Sequence, residues 1–205
     1  MILSIARGDA HRGIRYCWLV AHSDCHLAAI GLGANLPSAA GPPELTLRAA
    51  MDDLAGAGTV VSRSSLYRTE PVGYADQPAF VNAAVTLTTA LDPEALLDFL
   101  LATERRYGRD RSSDPPGTPH VPGPRTLDLD LLLFDDVVVN SPRLTLPHPA
   151  LAERRFVLAP LSEIAPGLRH PIIGKTVAEL LAALPDDGPN RCDAVRKIYS
   201  PQARP

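Results

Sequence analysis

The chain has 205 residues, 45% of them hydrophobic and 21% charged. That balance excludes a largely disordered chain and suits one domain with a sizeable core. The net charge of −3 excludes a broadly basic nucleic-acid footprint, and no apolar run reaches the ~18 residues of a membrane-spanning helix.

Residues 1–26 show no clear period and are expected to form an N-terminal extension of unknown role. Their apolar run, Cys17–Ala21, is too short for a signal-peptide core, so no export signal is read. Cys17, Cys25 and Cys192 have no metal-ligand spacing, and neither a disulfide framework nor a zinc site is readable. A reducing cytoplasm is the expected compartment. Leu27–Leu32 reads as a buried strand. Gly31, Gly33 and Asn35 read as the turn that ends it, since the run lacks both the third glycine of a dinucleotide fingerprint and the Gly-Lys-Ser/Thr of a P-loop. Glu44–Leu54 carries a helical apolar stripe closed by Gly56 and Gly58, and Thr59–Tyr67 reads as one strand. Val81, Ala83, Val85 and Leu87 alternate with Asn82, Ala84, Thr86 and Thr88, which predicts a half-buried strand.

Asp92-Pro93 marks a helix start, an N-cap followed by proline at the first helical position. Leu96, Leu97, Leu100 and Leu101 form its stripe, and Gly108 is its stop. Pro115, Pro116, Pro119, Pro122 and Pro124 then exclude helix and central strand, so a long loop is expected. Leu127–Phe134 reads as a strand, Val137–Val139 and Leu144–Leu146 as a short hairpin or flanking strands, and Phe156–Leu161 as helical or irregular. Val177–Leu184 is a last short helix. The order β-α-β-β-α-β plus a tail predicts an α+β sandwich of the split-βαβ, ferredoxin-like type, a mainly antiparallel sheet with helices packed on it.

The sharpest chemical feature is Leu127-Asp128-Leu129-Asp130-Leu131. On a strand both carboxylates share a face, roughly 6–7 Å apart at Cα. Paired carboxylates repel unless a cation sits between them, and Mg²⁺ typically takes one or two carboxylates plus phosphate oxygens. Arg105, Arg106, Arg109, Arg111 and Arg125 flank the proline-rich loop, with Arg143, Arg154 and Arg155 downstream. Carboxylates beside arginines fit a polyphosphate held between metal and guanidinium. Surface ion pairs with Glu104, Asp110 and Asp114 are the plainer alternative. Glu104, at the edge of the helix stripe, fits either a ligand contact or an ordinary helix-end charge. His148 lies in the rigid Leu146-Pro147-His148-Pro149 turn, where it could be solvated or donate to phosphate.

These residues fall in blocks: Ile30–Leu36, Ser64–Gly73, Asp76–Ala83, Glu104–Arg109, Gly123–Asp130, Arg143–Pro149 and Arg154–Leu161. Together they resemble the 6-hydroxymethyl-7,8-dihydropterin pyrophosphokinase family of folate biosynthesis, over about residues 27–170. A pyrophosphokinase domain is expected at 27–175, and a C-terminal helix and tail at 176–205 lie outside the resemblance. The resemblance implies transfer of the β,γ-pyrophosphoryl group of ATP to the pterin hydroxymethyl, with AMP released. It also implies two Mg²⁺ ions shared by Asp128 and Asp130. Arg109, Arg111 and Arg125 match phosphate-clamping positions, and with the aspartates they form the catalytic set. Glu104, Arg109, Arg125, Leu131, Arg143, Leu144, Thr145, His148 and Arg154 match nucleotide contacts. Thr69, Glu70, Val72, Phe80, Asn82 and Phe156 match the pterin site. Trp18 is the only tryptophan, so the one that members commonly carry in the catalytic loop is absent. A monomer acting on small molecules is expected, without nucleic acid or membrane. The rival readings are a phosphotransferase making ADP, a catalytically impaired pterin- and nucleotide-binding homologue, and an RNA-binding module. The last would need sheet-face aromatics, and only 5% of residues are aromatic.

Overall fold

The computed structural model describes residues 25–70, 77–109, 123–187 and 195–199. Val72, Arg111, residues 1–24 of the expected extension and most of the proline-rich segment lie outside the described residues. Strand β1 (His26–Ala34) leads to helix α1 (Pro43–Asp53), followed by a 3₁₀ turn at Leu54–Gly56. Strands β2 (Thr59–Arg63), β3 (Leu66–Thr69) and β4 (Phe80–Thr89) precede helix α2 (Pro93–Arg106). Strand β5 (Asp128–Phe134) follows, then the short pair β6 (Val139–Asn140) and β7 (Thr145–Leu146). Helices α3 (Arg155–Ile164) and α4 (Val177–Ala183) and strand β8 (Val195–Tyr199) complete the order.

The main sheet runs β5-β1-β4-β3-β8, with β2 also on β4, and every pairing is antiparallel. Two split βαβ units interleave, so β4 lies beside β1 and β1 beside β5. Side-chain alternation gives the sheet two different faces. Ala28, Ile30, Leu32 and Ala34 of β1 meet Leu47, Ala50 and Met51 of α1 and Leu96 and Leu100 of α2 in one core. Ala29, Ala84 and Leu132 meet Leu158 and Leu161 of α3 and Val177 and Leu180 of α4 in another. Each buried leucine contributes about 1.5–3 kcal/mol, so both layers hold by apolar burial. The helix ends follow the residues expected to stop them. Asp92 accepts from Ala95 N–H at 2.8 Å, and Gly108 has φ +83°.

The single strand expected at Thr59–Tyr67 is two strands broken at Ser64-Ser65. Ser64 Oγ accepts from Ala84 N–H at 2.8 Å and donates to Ser65 C=O at 2.7 Å. A side-chain hydroxyl thus takes the place of a ladder group, and the strand kinks. Ser65 turns instead to Glu163 of α3, which accepts from Ser65 N–H (3.0 Å), Ser65 Oγ (2.7 Å), Tyr67 Oη (2.8 Å) and Lys197 Nζ (3.0 Å). Lys197 belongs to β8, so the chain end expected as a tail adds a strand beside β3 and an ion pair to α3.

Burial pushes the Glu163 carboxyl up, but the hydrogen bonds from Ser65, Lys197 and Tyr67 outweigh it and hold it below 4.5. A depressed carboxyl stabilises the fold above its ordinary value and loses that contribution as pH falls through the native value. Glu163→Gln should therefore lower unfolding free energy by about 1–2 kcal/mol near neutral pH. Urea titrations should show the gap from the parent closing below pH 4.5. A gap independent of pH would refute the charge as its source.

Candidate active site

The two faces of β1 explain where the site lies. On the α3 side the strand presents Ala29, Gly31 and Gly33, and α3 covers only the first end of this strip. Gly33 stands opposite Asn82 of β4 and Asp128 of β5, and Gly31 opposite Ala84 and Asp130. Gly31 and Gly33 are therefore inside the strand, not the turn that ends it. Two glycines spaced by two residues remove every side chain from one strip of the sheet. A Cβ on Gly33 would lie 3.1 Å from Asn82 Oδ1. The strip is the floor of a cavity of about 150 Å³.

Asp128 and Asp130 rise from one side of that floor, as their spacing predicts, and both line the cavity. Arg125 donates from Nη1 to Asp128 Oδ2 at 2.7 Å, with both side chains nearly buried. Its guanidinium also lies over the Phe80 ring at 5.4 Å, and Arg154 lies over Phe156 at 5.6 Å. Phe80 and Phe156 are half-buried and both line the cavity. Thr69, Glu70 and Asn82 line it too, and Asn82 Nδ2 donates to Thr69 Oγ1 at 2.8 Å. That bond fixes the amide next to the glycine floor. Sequence reasoning missed Gly31, Gly33, Leu132, Val157 and Glu153 as cavity residues. Alternation of glycine with Ile30 and Leu32 was the available signal for the floor.

The remaining candidates flank the outer edge of β5. Glu104 is 1% exposed and its Oε1 accepts from Leu129 N–H at 2.8 Å. It therefore satisfies an edge-strand amide, a use that helix periodicity does not show. His148 N–H donates to Leu132 C=O at 2.9 Å, and its Nδ1 accepts from Ala150 N–H at 3.2 Å. Thr145 sits on β7. Leu131 and Leu144 turn their side chains into the α1–α2 core. Arg143 is half-exposed and pairs with Asp98 and with Glu94 of α2. Arg109 N–H donates to Glu104 C=O at 3.1 Å, just past α2.

The cavity carries four carboxylates, Glu70, Asp128, Asp130 and Glu153, against two guanidinium groups, Arg125 and Arg154. Such a lining repels a bare polyphosphate and attracts cations. No cluster of three or more His, Cys, Asp or Glu forms a metal cage among the described residues. Two carboxylates with room for phosphate oxygens and water fit Mg²⁺, which seldom occupies all-protein cages.

A model of the 7,8-dihydro-6-hydroxymethylpterin-pyrophosphokinase family matches residues 29–166. The chain belongs to that family. Two bacterial relatives are named 2-amino-4-hydroxy-6-hydroxymethyldihydropteridine pyrophosphokinase. The Synechocystis protein is 44% identical over 159 residues, 77% of this chain and 75% of that protein. The Pseudomonas aeruginosa protein is 43% identical over 164 residues, 79% of this chain and 94% of that protein. Among solved structures, wild-type Plasmodium falciparum HPPK-DHPS superimposes with a TM-score of 0.60 at 16% identity. That match covers 78% of this chain and 45% of the other, and at this identity it speaks for the fold alone. The expected split-βαβ family fold is therefore the observed one. No helix among the described residues is long and apolar enough to cross a membrane.

Proposed function

We propose that the chain, a pyrophosphokinase by family, transfers the β,γ-pyrophosphoryl group of ATP to the hydroxymethyl oxygen of 6-hydroxymethyl-7,8-dihydropterin, through the residues assembled on the glycine floor. The observation that carries this reading is one cavity with two chemistries. Asp128 and Asp130 supply charge from β5, Asn82 an amide and Phe80 a flat wall from β4, Phe156 a second ring, and Arg125 reaches from Asp128 to the Phe80 ring. A bond forms from the substrate hydroxyl oxygen to the β-phosphorus as the hydroxyl proton is released to solvent. The bond from that phosphorus to the α,β-bridging oxygen breaks, and AMP leaves.

Asp128 and Asp130 would hold two Mg²⁺ ions. When bound, the ions neutralise charge on the triphosphate and align it. Arg125 is fixed by Asp128 and Phe80, so its guanidinium meets a phosphate without first being ordered. Arg154 at the start of α3, and Arg109 and Arg111 around the proline-rich segment, are proposed to clamp the remaining phosphates. Glu104, Arg143, Leu144, Thr145 and His148, with Leu131 of β5, are proposed to hold the nucleoside, Leu131 and Leu144 acting through their backbones. Thr69, Glu70, Val72, Phe80, Asn82 and Phe156 are proposed to hold the pterin, Asn82 reading its amide edge and the phenyl rings stacking on it. We place the enzyme in the cytoplasm as a monomer. No observation favours the catalytically impaired alternative.

Product identity tests the reading. Purified protein with Mg²⁺-ATP and the pterin alcohol should release AMP one-for-one with pterin diphosphate on chromatography. ADP as the nucleotide product would make it a simple phosphotransferase instead.

A further inference from the structure

We propose that Asn35 is a positioning residue that sets both the phosphate side and the pterin side of the cavity, an inference that rests on the proposed activity. Asn35 is 3% exposed and does not line the cavity. It follows the last residue of β1, where the sequence pattern shows only a turn. Each arm of its carboxamide goes to a different segment. Oδ1 accepts from Arg125 N–H at 2.7 Å, and Nδ2 donates to Gln77 Oε1 and to Pro78 C=O, both at 3.1 Å. Its own N–H and that of Leu36 donate to Arg125 C=O at 3.0 Å. The peptide of Arg125 is thus held at both its N–H and its C=O by residues at the end of β1.

The two held segments meet again at their tips. Gln77-Pro78 runs directly into Phe80, whose ring carries the Arg125 guanidinium at 5.4 Å, and the same guanidinium holds Asp128. Asn35 is the common base of this wedge. Only a side chain with an acceptor and two donors on one planar group makes all three contacts. Aspartate keeps the acceptor for Arg125 N–H but places an oxygen against Pro78 C=O. Alanine removes both arms. These substitutions therefore separate the two functions.

Asn35→Asp should raise the pterin KM by about ten-fold while leaving kcat within about three-fold of the parent. Gln77→Leu, which weakens the same arm with Asn35 intact, should raise the pterin KM by a few-fold with kcat unchanged. Asn35→Ala should show the pterin KM rise and in addition lower kcat by about ten-fold, because Arg125 N–H loses its acceptor and only its C=O stays held. Per active site, at a temperature well below each variant's Tm, a purely structural residue would show no such split. Equal kinetics for Asn35→Asp and Asn35→Ala would overturn the proposal, as would an unchanged pterin KM in Asn35→Asp. If Asn35→Ala fails to fold, the other two variants still decide. Should the parent release no AMP, the activity is what fails. Calorimetric titration of 6-hydroxymethylpterin then reads the same affinity ranking, and equal affinities in parent, Asn35→Asp and Gln77→Leu would overturn the role of Asn35.

Discussion

Asp128→Asn and Asp130→Asn should each lower the rate of AMP formation by at least about a thousand-fold, equivalent to about 4 kcal/mol of transition-state stabilisation. The substitution keeps shape and removes charge. Each variant would leave three of the cavity's four carboxylates, and the cation proposed to bring the triphosphate in would lose a ligand. The two variants should differ in a second respect. Asp128 also holds Arg125 at 2.7 Å, whereas Asp130 faces the floor opposite Gly31. Asp128→Asn should therefore also weaken phosphate binding through Arg125 and show the larger rise in the ATP KM. The double variant should be little slower than either single one, because groups acting on one metal–phosphate assembly are not additive. Single-turnover assays at saturating Mg²⁺ measure this. Retention by Asp130→Asn of more than about a tenth of the parent rate would remove the metal role from the pair.

Gly33→Val should raise the pterin KM by at least about thirty-fold, or about 2 kcal/mol, without unfolding the protein. A β-branched residue suits a strand interior better than glycine does. Its Cβ would lie 3.1 Å from Asn82 Oδ1, so the amide proposed to face the pterin must move. The rest of the side chain fills the space above the floor. Thermal melting should show a Tm near the parent's while pterin affinity falls, and the KM for ATP should change much less. A lost fold would mean that the strip is glycine for close packing alone. Wild-type pterin affinity would mean that the ligand lies elsewhere in the cavity.

Much of this was legible in the chain itself, and the reason is periodicity. Period-two alternation gave Val81–Thr88 as a strand, although it is buried on both faces rather than half-buried, because α3 covers the face of Ala84. Capping chemistry at Asp92-Pro93 gave the start of α2. The Asp128/Asp130 pair was readable because one strand puts alternate residues on one face. The kink at Ser64-Ser65 was not, since the same hydroxyls are equally compatible with a continuous strand. Gly31 and Gly33 carried a turn signal when read alone. They become a floor only because β4 and β5 lie on either side of them.

By itself, then, the sequence determined the family, the split-βαβ core order and the candidate carboxylates and arginines, all of which rest on near neighbours or on blocks in order. Tertiary structure decided what each polar side chain serves. Asn35 finds its partners 42 and 90 residues away, Glu163 finds Ser65 98 residues away, and Glu104 turns to the β5 edge amide at Leu129. The β8 strand, whose short run reads as a tail, gains its structure from the edge of β3. Hydrogen bonds of buried polar groups are obligatory, but which groups satisfy one another depends on how distant segments fold together, and local pattern does not contain that.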